Sequence, residues 1–189
     1  MHRGSTICNF KMSLFNNKYR IESVRFKDWD YSASAPYFIT VCTKDKAHFF
    51  GEIQNDEMIL NDFGRIVEYE WLQTPILRPD MNLTLDEFVI IPNHFHGIIC
   101  IGENEYNKHP HTEDMPGGKS NGLMPQSKNL ASIMRGFKSS VTIKIRKTDA
   151  GFRWQGRYHD HIIRNNESYE QIRRYIYNNP VNWKNDKFY

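Results

Sequence analysis

The sequence predicts an α+β domain, one antiparallel β-sheet with helices packed on one face. Two observations predict it. Short runs rich in β-branched and aromatic residues interleave with segments whose apolar positions recur every three or four residues. Connections between neighbouring strands are short, as antiparallel pairing permits. At 189 residues and with no internal repeat, the chain suits one domain with a sizeable core.

That domain reads as 31–189, preceded by an N-terminal extension over 1–30. Tyr37–Cys42, following Pro36, is a first core strand. Short strands follow around His48–Ile53 and Glu57–Leu60. Asn61 or Asp62 caps a helix whose apolar residues Phe63, Ile66, Val67 and Trp71 recur at helical spacing. It ends near Thr74, because the residue before Pro75 disfavours the α region. Thr84–Ile91 and His94–Ile101 are adjacent strands, broken by Pro92-Asn93 as a turn or kink. Residues 103–127 are polar and rich in Gly, Pro and Asn, which marks a surface insertion. Ser127 caps a second long helix with Leu130, Ile133, Met134, Phe137 and Val141 on one face; Gly136 weakens it, and Gly151 lies just past its end. Phe152–Gln155 and Tyr158–Arg164 are extended. A last helix runs from about Glu167 to Asn178 or Asn179, stopped by Pro180.

Composition excludes several classes. No apolar run approaches the roughly 20 residues that span a bilayer, and the N-terminus lacks the apolar core of a signal peptide. Cys8, Cys42 and Cys100 form no CxxC pair, so a disulfide scaffold is not expected. The expected setting is reducing and cytoplasmic, nucleoid-associated if the partner is chromosomal DNA. The net charge of +3 conceals an asymmetry: residues 1–127 carry 12 Lys and Arg against 17 Asp and Glu, whereas residues 128–189 carry 13 against 5. A basic C-terminal third is what a polyanion-binding surface requires, and it is equally the solvated face of ordinary helices.

Two stretches carry chemistry. In IIPNHFHGII, His94 and His96 flank one bulky apolar residue on a strand, so both side chains project to the same side. Two neutral imidazoles so placed can bind one divalent ion and leave coordination positions open. In YIYNNP on the last helix, Tyr175 and Asn179 are i and i+4 and share a face, while Tyr177 points elsewhere. Asn179 can complete the ligand set through its amide oxygen, and Tyr175 can act as nucleophile on an electrophile that the ion polarises. His109 and His111 repeat the HxH spacing inside the insertion, with no strand to aim them. His159 and His161 repeat it on a predicted strand and are the rival metal pair.

Taken together, PNHFHGII, WQGRYHDHIIR (Trp154–Arg164) and YIYNNPVNW (Tyr175–Trp183) resemble the REP-associated tyrosine transposases, a single-tyrosine branch of the HUH single-strand DNA nucleases. The resemblance runs from about Tyr37 to Trp183. It implies a ferredoxin-like core with the histidines on a central strand and the tyrosine on a C-terminal helix. It implies Mg²⁺ or Mn²⁺ on His94, His96 and Asn179, attack by Tyr175 on a phosphate of single-stranded or hairpin DNA, and a 5′-phosphotyrosine link with a freed 3′-hydroxyl. Rejoining follows when another 3′-hydroxyl reverses the attack. The resemblance leaves monomer and homodimer both open.

Around that centre, Arg135 and Lys138 either line a DNA groove or form the wet face of an amphipathic helix, as do Lys144, Arg146 and Lys147 beyond them. Arg153 and Arg157 interleave with Trp154 and Tyr158, a pattern suited to unpaired bases and phosphates, although Trp154 also reads as core. His159 and Arg164 complete the expected DNA contacts. A zinc hydrolase of the amidohydrolase type would need about 250 residues and parallel βα repeats, which are not present, and a cupin would be mostly β. The standing alternative is a catalytically silent, domesticated nucleic-acid-binding protein of the same fold.

Overall fold

The computed structural model describes residues 13–15, 18–20, 29–108 and 127–186. Most of the N-terminal extension and of the insertion, with Cys8, His109 and His111, lies outside them. The order is β1 (Ser13–Phe15), β2 (Lys18–Arg20), β3 (Ala35–Cys42), β4 (Gly51–Gln54), β5 (Glu57–Leu60), α1 (Asp62–Ile76), β6 (Leu83–Ile91), β7 (His94–Ile101), α2 (Leu130–Ile145), β8 (His159–Ile162) and α3 (Asn166–Tyr177). Strands β6, β7, β3 and β8 lie side by side in that order, antiparallel throughout. Running β3–α1–β6–β7–α2–β8 through such a sheet gives the ferredoxin-like arrangement. β1 with β2, and β4 with β5, form separate two-stranded pieces.

Strand alternation sorts the residues into two layers. Tyr37, Ile39 and Val41 of β3 and Phe95, Ile99 and Ile101 of β7 face the first layer. There they pack with Val67 and Trp71 of α1 and with Ile133, Met134, Phe137 and Val141 of α2. The intervening residues of the same strands face α3, where Ile98, Ile163 and Ile176 form a second, smaller core. So α1 and α2 share one face, as expected, whereas α3, expected on that face too, covers the opposite one, where Ile98 and Ile163 offer it a second apolar patch. A register shift between Leu85 and Phe88 turns β6 over by one residue. Leu85, Phe88 and Ile90 thus all join the main core, and Asp86 and Glu87 fall in the bulge.

The element boundaries depart from the expectations for local reasons. Residues 48–50 do not pair as strand, because the N–H groups of Phe49 and Phe50 donate to Pro92 O at the β6–β7 turn. α1 continues to Ile76, carrying Pro75 one residue before its end, so the helix forfeits a single i→i−4 hydrogen bond and still closes its last turn. α2 is capped by Asn129, not Ser127: Asn129 Oδ1 accepts from Ser132 N–H at 2.9 Å, and Ser132 Oγ accepts in return from Asn129 N–H at 3.1 Å. Lys128 turns the chain into this cap with φ 60°. The helix ends at Ile145, so Arg146 is its C-cap and Lys147 lies beyond it. Gly136 has a packing reason, since a Cβ there would stand 2.1 Å from the Arg78 guanidinium lying across it. α3 starts one residue before the expected Glu167 and stops at Tyr177, with Asn178 as C-cap.

Candidate active site

The β6–β7 turn sets the first histidine. Its two residues, Pro92 and Asn93, separate Ile91 from His94, which pair across the strands. Asn93 O is gripped by Thr43 N–H at 2.8 Å and Thr43 Oγ1 at 2.9 Å. Thus anchored, the Asn93 side chain accepts from His94 Nδ1 through Oδ1 at 2.7 Å. Cross-strand register sets the second: Thr40 of β3 lies opposite His96, and its Oγ1 is 2.8 Å from His96 Nδ1. Both imidazoles are fully buried. Their far nitrogens meet, Nε2 to Nε2, at 3.0 Å.

α3 delivers the phenol over this pair. Ile176 is buried against the sheet, which turns Tyr175 toward β7 and β3 and leaves Tyr177 74% exposed on another side. Tyr175 Oη lies 3.1 Å from His96 Nε2, and the ring packs edge-on against Phe38 and His96. Past Pro180 the chain turns back through a short 3₁₀ segment, Trp183–Asn185. Trp183 is buried with its ring 5.7 Å from those of His94 and His48. The next residue, Asp186, accepts from Tyr175 Oη at 2.7 Å and from Asn179 Nδ2 at 2.8 Å, both through Oδ2. Burial, with the Asp186 carboxylate second, holds the Tyr175 phenol above its ordinary value near 10. The hydroxyl is therefore neutral at physiological pH.

This donor set suits a divalent cation. An Nε2–Nε2 span of 3.0 Å matches two adjacent ligands on one ion at metal–nitrogen distances of about 2.0–2.1 Å. The other ring nitrogens are held by Asn93 and Thr40, as ligating histidines usually are. Asn179 is 1% exposed, yet its Oδ1 has no hydrogen-bond partner. Leaving such an acceptor unmet costs about 1–3 kcal/mol, a cost that a bound ion would remove. Ligand atoms of His94, His96 and Asp186 lie within 4.8 Å of one another, the one His, Cys, Asp or Glu group of this kind among the described residues.

The four residues expected at the centre, His94, His96, Tyr175 and Asn179, are therefore brought together. The expected DNA contacts are dispersed. Arg135 and Lys138 sit on α2, across the sheet from the histidines. Lys138 Nζ donates to Gln155 O at 2.7 Å and Arg157 O at 3.4 Å, and burial lowers its pKa. Arg153 donates to Ala150 O and Phe152 O. Both cations thus hold their own chain. Arg157, His159 and Arg164 are exposed. His159 and His161 lie opposite Thr40 and Phe38, on the histidine face but at the sheet edge. Trp154 packs among Phe50, Phe137 and Phe152, with its Nε1 donating to Lys138 O at 3.1 Å, which makes it core.

Four residues were not anticipated. Asn93 stands inside the PNHFHG motif, and Thr40 becomes visible once β3 and β7 are set in register. Trp183 closes the third motif without its role being apparent, and Asp186 lies outside every motif. Asp186 also brings a carboxylate to a centre expected to hold only neutral donors.

No family model matches the chain. A Haemophilus influenzae protein described as an uncharacterized protein is 42% identical over 171 residues, covering 88% of this chain and 92% of its own length. Among solved structures, the structure of the REP-associated tyrosine transposase bound to a REP hairpin superposes with a TM-score of 0.56 and 20% identity. It covers 85% of this chain and 74% of that one. The described residues contain no helix long and apolar enough to cross a membrane. The chain belongs to one family with the Haemophilus influenzae protein, and its fold is that of the REP-associated tyrosine transposases.

Proposed function

We propose that the protein is a metal-dependent tyrosine transposase and endonuclease that cleaves and rejoins single-stranded DNA through a 5′-phosphotyrosine intermediate. One observation carries this reading. A phenol stands 3.1 Å from the nearer of two imidazoles that are themselves 3.0 Å apart, beside a buried amide oxygen with no partner. The solved neighbour's hairpin makes hairpin DNA the first substrate to try.

His94, His96 and Asn179 would hold Mg²⁺ or Mn²⁺. Bound there, the ion supplies positive charge that offsets the charge of the phosphodiester and of its transition state. The residues do the rest. Asn93 fixes the His94 tautomer, and Asn93 and Thr40 together hold the two ring planes. Tyr175 presents a neutral phenol at the edge of a site flanked by the Phe38 and Trp183 rings. In the cleavage step a bond forms between Tyr175 Oη and phosphorus, and the bond from phosphorus to the 3′ oxygen breaks. The phenolic proton passes to solvent and the departing oxygen takes one up, so no acid or base is consumed. A phenolate is a tolerable leaving group, so attack by a different 3′-hydroxyl reverses the step and joins strands with no external energy. Arg157, His159 and Arg164 are the exposed side chains assigned to the DNA path.

The test is incubation with single-stranded hairpin DNA and Mg²⁺ or Mn²⁺, followed by a denaturing gel. A covalent protein–DNA band is expected from wild type and from Tyr177→Phe, and none from Tyr175→Phe. Binding of hairpins with no band in any metal would replace this reading with the silent DNA-binding protein.

A further inference from the structure

The carboxylate that closes the site has two partners on one oxygen. Asp186 Oδ2 accepts from Tyr175 Oη at 2.7 Å and from Asn179 Nδ2 at 2.8 Å. An asparagine amide offers a donor at one end and an acceptor at the other, and only the oxygen can ligate a cation. A carboxylate accepts and does not donate, so it selects the nitrogen end and leaves Oδ1 for the site. That matches what is seen: Asn179 Nδ2 is taken, and Oδ1 is buried without a partner. The same oxygen fixes the torsion of the Tyr175 hydroxyl, which otherwise turns freely about its C–O bond. Asp186 is itself held in place, since its N–H donates to Trp183 O at 3.0 Å and Trp183 is buried against His94.

We infer that Asp186 is a positioning residue for this centre, turning the Asn179 amide so that its oxygen is the ligand end and holding the Tyr175 hydroxyl beside His96. The inference rests on the proposed transposase reading for the tyrosine and on the donor set alone for the asparagine. A carboxylate this close could instead ligate the ion directly, and the two roles separate on charge. An asparagine at 186 keeps an acceptor oxygen for both hydrogen bonds but carries no charge. An alanine keeps neither.

The experiment measures Mn²⁺ affinity of the full-length protein alone by calorimetry, and the rate of adduct formation with hairpin DNA. It compares wild type, Asp186→Asn, Asp186→Ala, Asn179→Ala and the Asn179→Ala/Asp186→Ala double variant. Asp186→Ala is expected to lose about 10–100-fold in both quantities, the usual cost of removing a residue that orients a ligand. Asp186→Asn is expected to recover most of that loss. In the Asn179→Ala background, Asp186→Ala should lower Mn²⁺ affinity little further, because the ligand it orients is gone. The inference is overturned if Asp186→Asn falls as far as Asp186→Ala, which makes the charge itself the agent, or if Asp186→Ala keeps wild-type Mn²⁺ affinity. Should Asp186→Ala fail to fold, a loss beyond about tenfold in a folded Asp186→Asn overturns it alone. A wild type that forms no adduct sinks the tyrosine reading, while the Mn²⁺ comparison still decides what Asp186 does to Asn179.

Discussion

Replacing Ile176 by alanine should loosen the helix that carries Tyr175 while leaving the rest of the domain closed. α3 is 12 residues long, too short to persist in water without packing. What holds it is the smaller core, in which only Ile98, Ile163 and Ile176 are buried, with Phe38, Val89, Cys100, Tyr169 and Ile172 around them. Its polar ties to the sheet include the Tyr169 hydroxyl donating to Asp86, Arg173 paired with Asp86 at 3.3 Å and Glu87 at 4.0 Å, and Tyr175 Oη 3.1 Å from His96 Nε2. Ion pairs with side chains about a third exposed contribute about 0–1 kcal/mol each. Truncating a fully buried isoleucine costs about 2–5 kcal/mol. If α3 opens as its own unit, that loss enhances its opening by at least about 30-fold, at 1.4 kcal/mol per decade. The main core, with Trp71, Phe95 and Phe137 on the other face, does not share it. Native-state hydrogen exchange reads this directly: amides of 169–177 should lose protection by that factor while those of β3 and β7 hold theirs. Adduct formation should drop with them, because Tyr175 is the neighbouring residue. A uniform fall across the domain, or unchanged protection in α3, would show that the two layers open together and refute the partition.

Two further perturbations follow from the main layer. Burial pushes the Tyr37 phenol up to about 12 from its ordinary 10. Its contribution is thus intact below pH 10 and is lost as pH climbs toward 12, about 2–3 kcal/mol in all. Denaturant titrations at pH 9 and 11.5 should show a smaller alkaline loss in Tyr37→Phe, and equal losses in both proteins would remove burial as the cause. Gly97→Ala should destabilise by about 1–3 kcal/mol, since the new Cβ would stand 2.6 Å from Phe95 Cζ and 3.0 Å from Trp71 Cζ2; a thermal midpoint equal to wild type would show the rings can move aside.

What could be read from the chain was what periodicity encodes. β7 is legible because its two faces differ, with His94, His96 and Ile98 alternating against Phe95, Gly97 and Ile99. The Tyr175–Asn179 pairing is legible because one helical turn fixes it, and it survives although α3 stops at Tyr177: Asn179 N–H donates to Ile176 O at 3.2 Å, a tightened last turn that keeps the side chain on the same side. Illegible features depend on chain that is distant or irregular. The bulge at Asp86 and Glu87 reverses the alternation of β6 midway, and nothing in TLDEFVII announces a slip. Pro75 argues for an ending that the last turn does not need. Asp186 reaches the centre only because the chain folds back after Pro180 and Trp183 wedges beside His94. That return is set by tertiary packing, not by any local pattern.

The same distinction governs the basic third of the chain, where charge is legible and geometry is not. Lys138 and Arg153 count toward the polyanion-binding surplus, but each donates to backbone carbonyls, Lys138 joining α2 to the segment before β8. Arg164 lies instead 6.0 Å from the Trp29 ring and borders a cavity of about 460 Å³ shared with Tyr31, His161 and Asn165 at the β8 edge of the sheet. A cation that contacts a phosphate releases counterions, and losing it lowers the slope of log affinity against log salt by about 0.7 for a single strand and 0.9 for a duplex. Fluorescence anisotropy with a labelled hairpin between 50 and 200 mM salt, a range in which such slopes are measurable, separates the two kinds of lysine and arginine. Arg164→Ala should reduce the slope by nearly one contact. Lys138→Met should lower the melting temperature and leave the slope alone, because its charge is already spent on carbonyls. A slope reduced equally by both would mean that Lys138 lets go of its carbonyls to meet DNA, and that the strand wraps past the sheet edge onto α2.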